Sequence, residues 1–198
     1  MRRRLAVVAA ALLIAACGST AAPSATTPAP TTAPPAAVRT VAPTPTGTAC
    51  PPIAAGVAIK TAVLELAKGG VIRMALRPDK APNTVATFVG KVNAGFYNGL
   101  SFHRVVPNFV VQGGDPLGNG TGGGNQPTEL SDLPFCKGSL GIARGGDIKV
   151  SNDSQWFICT GECRHLDGQY TNFGQLQSGE DIAERIAVGD KIKTIRIE

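Results

Sequence analysis

Hydrophobic and polar residues alternate over two short stretches, 61–67 and 71–77, separated by Lys68-Gly69-Gly70. Alternation with a period of two around a Gly-Gly turn predicts a β-hairpin. The period then lengthens. Val85, Phe88, Val89 and Val92 fall at i, i+3, i+4 and i+7, after Pro82 and before Gly95. That spacing places all four on one face of a helix. Pro is tolerated in a first helical turn, and Gly suits the left-handed residue that ends many helices. A second, shorter helix is predicted over 179–187, begun by Ser178 with Asp181 three residues on, and burying Ile182 and Ile186. The chain closes with Lys191 to Glu198, where Ile195 and Ile197 alternate with polar residues as in a half-buried strand. Between the helices, Phe102 to Asp115 is almost continuously apolar, broken by Pro107-Asn108 and stopped by Gly113-Gly114, which predicts a strand pair. Strands dominate and helices are few, so the fold class is mainly β, a barrel or sandwich with helical caps.

The first fifty residues follow a different pattern. Met1 to Arg4 is basic, Leu5 to Ala16 is apolar, and Cys17 follows. A basic start, an apolar run and small residues at its end are the parts of a secretory signal, and the run is shorter than the roughly 20 residues a membrane span needs. Ile14-Ala15-Ala16-Cys17 looks like a bacterial lipobox, with cleavage before Cys17 and lipidation of that residue; the alternative is an ordinary signal peptide cut near the same place, leaving Cys17 as a free or odd thiol. From Gly18 to Thr48 there are seven prolines, one charged residue (Arg39) and no aromatic. Such a segment cannot bury enough apolar area to offset its ordering entropy, so it is expected to be a disordered tether. The predicted organisation is a lipoprotein signal over 1–17, a tether over 18–50 and a folded domain over 51–198. An exported protein held at the outer face of the membrane by its lipid alone is the expectation.

Charge adds an exclusion. Three of the 19 basic residues are Arg2, Arg3 and Arg4, leaving 16 against 14 acidic ones. The basic balance therefore belongs largely to the signal. There is no basic stripe interleaved with aromatics, and nucleic acid is not an expected partner. Cys50, Cys136, Cys159 and Cys163 remain beyond Cys17. An even number in an exported chain suggests two disulfides, with three possible connectivities. His103 and His165 are the only histidines, too few to make a convincing zinc set with Cys159 and Cys163, so no metal is expected.

Candidate chemistry lies in the apolar strand pair. Arg104 and Gln112 are set into it, and an Arg on so apolar a strand needs a partner or a purpose. A structural ion pair or a side chain reaching to water would suffice if these two residues stood alone. They do not. Gly95-Phe96-Tyr97-Asn98-Gly99-Leu100-Ser101 precedes the run and Gly118-Asn119-Gly120-Thr121-Gly122-Gly123 follows it. A second block holds Ser154-Gln155-Trp156-Phe157-Ile158, His165-Leu166-Asp167-Gly168 and Phe173-Gly174. In this order the two blocks resemble the signature of the cyclophilins, peptidyl-prolyl cis-trans isomerases, over residues 61–198.

The resemblance implies a closed eight-stranded antiparallel β-barrel capped by two α-helices. It implies a non-covalent, cofactor-free isomerase acting on X–Pro bonds, with proline-containing peptides and unfolded exported proteins as partners. Arg104, Phe109 and Gln112 are the expected catalytic residues. Val110, Ala143, Arg144, Gln155, Phe157, His165, Leu166 and Tyr170 are the expected substrate-binding ones. His165 stands where other members carry Trp, Tyr170 where many carry His, and Val110 where Met is usual. Asp153 replaces a usual Gly, and the loop 145–150 looks about two residues longer than the family form. His103 is expected to point away from Arg104, as alternation on a strand requires. Asp115 and the glycines after it are expected to serve as loop and turn residues. A monomer is expected. The same fold used as a peptide-binding module without turnover, or as a structural surface lipoprotein, is disfavoured because Arg104, Phe109 and Gln112 occur together.

Overall fold

The computed structural model describes residues 50–198. The expected signal peptide, the expected lipidation site Cys17 and the expected tether as far as residue 49 lie outside the described residues. Strands β1 (Lys60–Leu66) and β2 (Val71–Leu76) form the predicted hairpin, in register from Lys60↔Leu76 to Glu65↔Val71. Helix α1 (Pro82–Asn93) follows, with Pro82 opening it and Gly95 just beyond its end at φ +68°. Its buried stripe includes Val85, Phe88 and Val92. No side chain within the helix caps it. Glu129 does so instead, its carboxylate accepting from the Asn83 N–H (3.1 Å) and the Thr84 N–H (2.7 Å), which supplies acceptors to the exposed first-turn donors.

The remaining strands are β3 (Arg104–Val106), β4 (Val110–Gly113), β5 (Asn125–Pro127), β6 (Ser139–Arg144), β7 (Val150–Cys159), β8 (Asn172–Ser178) and β9 (Ile192–Ile197). β3 and β4 pair across Pro107-Asn108, where Asn108 takes φ +57°. The sheet runs β3-β4-β7-β6-β8-β2-β1-β9, with β5 pairing β7 off this path. All pairs are antiparallel. The expected closed eight-stranded barrel is therefore corrected: this is a curled, open sheet of nine strands. Its end strands, β3 and β9, do not pair. β3 is only three residues long, and the curl of the sheet stops short of setting its free edge against β9. The irregular segment before it does part of that work, through a Ser101–Lys191 bridge and a Phe102 N–H donating to the Asp190 carbonyl at 2.9 Å. Such cover protects an edge without closing the ladder.

The second helix, α2 (Glu180–Glu184), is shorter than predicted. Ser178 stays in β8, and Gly179, at φ +90°, takes the capping position. Ile186 is buried as expected, Ile182 only partly.

Alternation along the strands divides the molecule into two apolar clusters. On β7, Trp156 and Ile158 face the main core; Phe157 and Cys159 face the other way. Trp156 is fully buried, with Phe88 and Phe102 edge-on to it, each at 5.9 Å between centroids. On β4, Val111 joins the main core and Val110 the outer cluster, with Phe135, Cys163 and Leu166. A single period-two rule thus builds both a core and a second apolar surface on the sheet's other face.

The cysteines differ from expectation. Cys50 and Cys136 form a disulfide, while Cys159 and Cys163 are buried free thiols. A hydrogen bond with Cys163, together with burial, pushes the Cys159 thiol far above its usual range, so it stays protonated within the outer cluster. Cys50, assigned by sequence to the tether, is bonded into the folded unit.

Candidate active site

The outer face of β3, β4, β7 and β6 carries the site. Arg104 and Gln112 are cross-strand partners in the β3–β4 pair, and Gln112 in turn lies opposite Phe157 on β7. Because Arg104 and Gln112 occupy the same face at paired positions, their side chains must meet. Arg104 Nη1 donates to Gln112 Oε1 at 3.4 Å. Gln112 Nε2 donates to Gln155 Oε1 at 3.0 Å. Gln155 Nε2 donates to the carbonyls of Gly120 (3.1 Å) and Gly122 (2.8 Å).

The order of these bonds fixes the sense of each amide. Two backbone carbonyls hold the Gln155 nitrogen, so its oxygen must turn to Gln112. Gln112 therefore presents its nitrogen to Gln155 and its oxygen to Arg104. Gln155, expected to touch substrate, is buried and makes all three of these bonds to protein groups.

Beside this chain is a cavity of about 230 Å³ lined by Arg104, Phe109, Val110, Gln112, Ala143, Arg144, Phe157, Leu166 and Tyr170. Of the expected site residues, only Gln155 and His165 lie outside the lining. His165 packs against Phe109 at 5.1 Å between centroids, supporting the wall from outside. Phe157 forms the back of the pocket between Phe135, stacked on it at 5.9 Å, and Tyr170, edge-on at 6.1 Å. Arg104 lies over the Phe109 ring with its guanidinium carbon 5.9 Å from the centroid. A second cleft adjoins the first and shares Gln112, Ala143 and Arg144 with it; Gln155 and the long loop at Gly145-Gly146-Asp147 also line it.

Two residues outside the expected set shape this site. Gly141 on β6 pairs with Phe157, and a Cβ there would come within 2.1–2.7 Å of the Phe157 ring. The ring occupies space that exists only because position 141 has no side chain. In Gly141→Ala the ring must leave the pocket wall. An activity loss of about 10-fold or more and a destabilisation of about 1–3 kcal/mol are expected, measurable by peptide isomerisation and urea unfolding.

Asp115 is the other. Its buried carboxylate accepts from the N–H groups of Leu117 and Asn119, each at 2.9 Å, and of Gly120. It is a turn residue, as expected, but one that holds the loop whose carbonyls anchor Gln155. Burial alone raises its pKa; the three backbone donors outweigh that and hold it below the ordinary range. A depressed pKa in the folded state contributes stability above the unfolded value near 4, lost as pH falls through the folded value. Asp115→Asn is expected to cost about 1–3 kcal/mol at neutral pH and to flatten the acid limb of the stability curve. Equal acid sensitivity in the two proteins would dismiss that role. His103 points away from Arg104 toward the same loop, its ring 3.9 Å from where a Gly120 Cβ would stand. Burial lowers its pKa, which keeps it neutral.

Comparison with known proteins agrees with this geometry. Residues 61–198 match the family model for cyclophilin type peptidyl-prolyl cis-trans isomerase. The chain is 44% identical to the peptidyl-prolyl cis-trans isomerase of Synechococcus elongatus over 140 residues, covering 69% of this chain and 94% of that one. It is 42% identical to peptidyl-prolyl cis-trans isomerase B of Bacillus subtilis over 144 residues, covering 71% and 99%. Among solved structures it resembles a cyclophilin type peptidyl-prolyl cis-trans isomerase of Cryptosporidium parvum. That match has a TM-score of 0.66 and 26% identity, covering 71% of this chain and 98% of the other. The same protein was also solved in the presence of the dipeptide Ala-Pro. A curled antiparallel sheet with two helices, an outward-facing apolar pocket and an Arg–Gln pair on its rim thus accompany sequence identity above 40%, and the chain belongs to the cyclophilin-type peptidyl-prolyl cis-trans isomerase family.

Proposed function

We propose that this isomerase twists X–Pro bonds in the pocket between Arg104 and Phe157 and assists the folding of exported proteins. Resonance gives a peptide C–N bond a rotation barrier of about 18–20 kcal/mol. No nucleophile is needed to lower it; a catalyst has only to bind the twisted state better than the planar ones. In the twisted state the imide nitrogen is pyramidal and regains a lone pair. Arg104, permanently charged and carrying a rigid fork of donors, is aimed at that nitrogen. Gln112 aligns the guanidinium, and Gln155 aligns Gln112.

Phe109, Val110, Phe157 and Leu166 grip the proline ring while the preceding carbonyl swings. Tyr170 completes the wall, with His165 behind Phe109. The β6–β7 register shifts between Ile142 and Arg144. The backbone of Ala143 and Arg144 at this break pairs with the residue before proline in extended form.

The observation carrying this reading is the hydrogen-bonded line from the Gly120 and Gly122 carbonyls to Arg104, ending at the rim of an apolar pocket. A module that only bound proline would need the pocket but not an oriented donor. The deciding experiment is catalysis by the full chain of cis-trans exchange in a short X–Pro peptide. No acceleration across several X residues would leave a binding module in its place.

Export rests on Met1 to Cys17 and the Pro-rich segment after it. Lipidation of Cys17 at the outer face of the membrane predicts incorporation of a labelled fatty acid that Cys17→Ala abolishes. Unchanged incorporation in that variant would remove the anchor from this reading.

A further inference from the structure

Seven arginines lie among the described residues, and five of them have a carboxylate partner: Arg73, Arg77, Arg164, Arg185 and Arg196. The two without an ion pair among the described residues, Arg104 and Arg144, line the same pocket. Among the described residues, no Asp or Glu lines it with them. Two like charges on one rim without a counter-ion are an electrostatic cost to the folded protein.

Arg144 is nonetheless held in place. Its Nε donates to the Gln169 carbonyl at 2.8 Å and its Nη1 to the Gly145 carbonyl at 2.9 Å. Its guanidinium carbon lies 4.4 Å from the centre of the Tyr170 ring. These contacts orient the group without neutralising it, and Nη2 donates to no protein group among the described residues. Arg104 is similarly uncompensated, with one long bond to a neutral amide. Uncompensated cations over apolar walls focus a positive potential into the cleft between them.

We propose that this potential selects substrates in which an acidic side chain flanks the proline, and that Arg144 is the specificity-determining residue. The inference rests on the prolyl isomerase reading and names the substrate class of that site. The adjoining cleft limits where the acid is accepted. Asp147 is the one acid among the described residues that lines that cleft, with its Oδ1 accepting from the Lys149 N–H at 2.9 Å. A substrate carboxylate deep in that cleft would meet a like charge, so the favoured position is next to the proline, between Arg104 and Arg144.

The test uses the full chain and X–Pro peptides carrying Glu, Gln or Lys immediately before or immediately after the proline. At low ionic strength, Glu is expected to exceed Lys in kcat/KM by roughly three- to ten-fold in at least one of the two positions. The ratio should shrink at 0.5 M salt, where screening acts over about 4 Å. It should fall to near one in Arg144→Gln and persist in Arg144→Lys. Turnover of the Gln peptides by the parent separately tests the isomerase reading. If they are turned over while Glu and Lys agree within two-fold at both positions, the substrate proposal is overturned and the isomerase stands. If the preference survives in Arg144→Gln, the assignment to Arg144 is overturned. If no peptide is turned over, both fall.

Discussion

Arg104→Ala is expected to lower kcat/KM on an X–Pro peptide by about 100-fold or more, the scale seen when one preorganised donor to a transition state is removed. That loss corresponds to about 2.7 kcal/mol of barrier. It should fall mainly on kcat. In the planar ground states the imide nitrogen has no lone pair to offer, so the guanidinium contributes little to substrate binding. Stability should hardly change, because the Arg104 side chain is exposed and has no ion pair among the described residues. Arg104→Lys is a sharper control. Lysine keeps the charge but loses the planar fork, so its ammonium cannot serve Gln112 and the imide nitrogen in one fixed geometry. It should recover only a small part of the lost rate. If either variant retains activity within a few-fold of the parent, the donor is some other group and this assignment is wrong.

The elements easiest to read in the sequence were those with one apolar face. Val85, Phe88, Val89 and Val92 could only be a helix stripe, and the β1–β2 hairpin alternated plainly. β7 did not, because both of its faces are apolar: Trp156 and Ile158 fill the core while Phe157 and Cys159 fill the outer cluster. Periodicity alone cannot separate such a strand from any other apolar run. Strand ends were also hidden. Nothing local shows that Glu129 caps a helix 45 residues before it, or that β3 and β9 are left as unpaired edges. The cyclophilin motifs carried the site residues, and most of those residues do line one pocket. What the motifs could not convey was mutual position. Gly141 matters through an absent side chain, which leaves no chemical trace in a sequence until Phe157 is seen lying in the space. Nor could the motifs show that Gln155, read as a substrate contact, is also tied to Gly120 and Gly122 and lines the adjoining cleft rather than the pocket itself. Pairing of the cysteines was beyond spacing alone, because Cys50 finds Cys136 across 86 residues of chain.

Loss of that disulfide is the second large expected effect. Closing a loop of 86 residues removes enough unfolded-state freedom to stabilise the native protein by about 4.6 kcal/mol in the chain-entropy account. Its Cα atoms are 5.1 Å apart, within the range a disulfide spans without moving the backbone. The bond also holds down residues 51–57, several of which close a cavity against Arg77, Lys80, Pro134 and Asn172. Cys50→Ser with Cys136→Ser is therefore expected to lower Tm by roughly 10–15 °C for a domain of this size. Activity well below the transition should stay within a few-fold of the parent. The disulfide reaches the pocket only indirectly, through Phe135 stacked on Phe157, and Phe135 is separately held by its N–H bond to Asp167 Oδ1 at 2.6 Å. A reductant should reproduce the Tm loss in the parent and do nothing further to the double variant, since Cys159 and Cys163 are already thiols. A parent whose Tm ignores the reductant would show that the loop constraint contributes nothing to this fold. A variant that keeps its Tm but loses catalysis would instead place the disulfide's role in shaping the Phe157 wall.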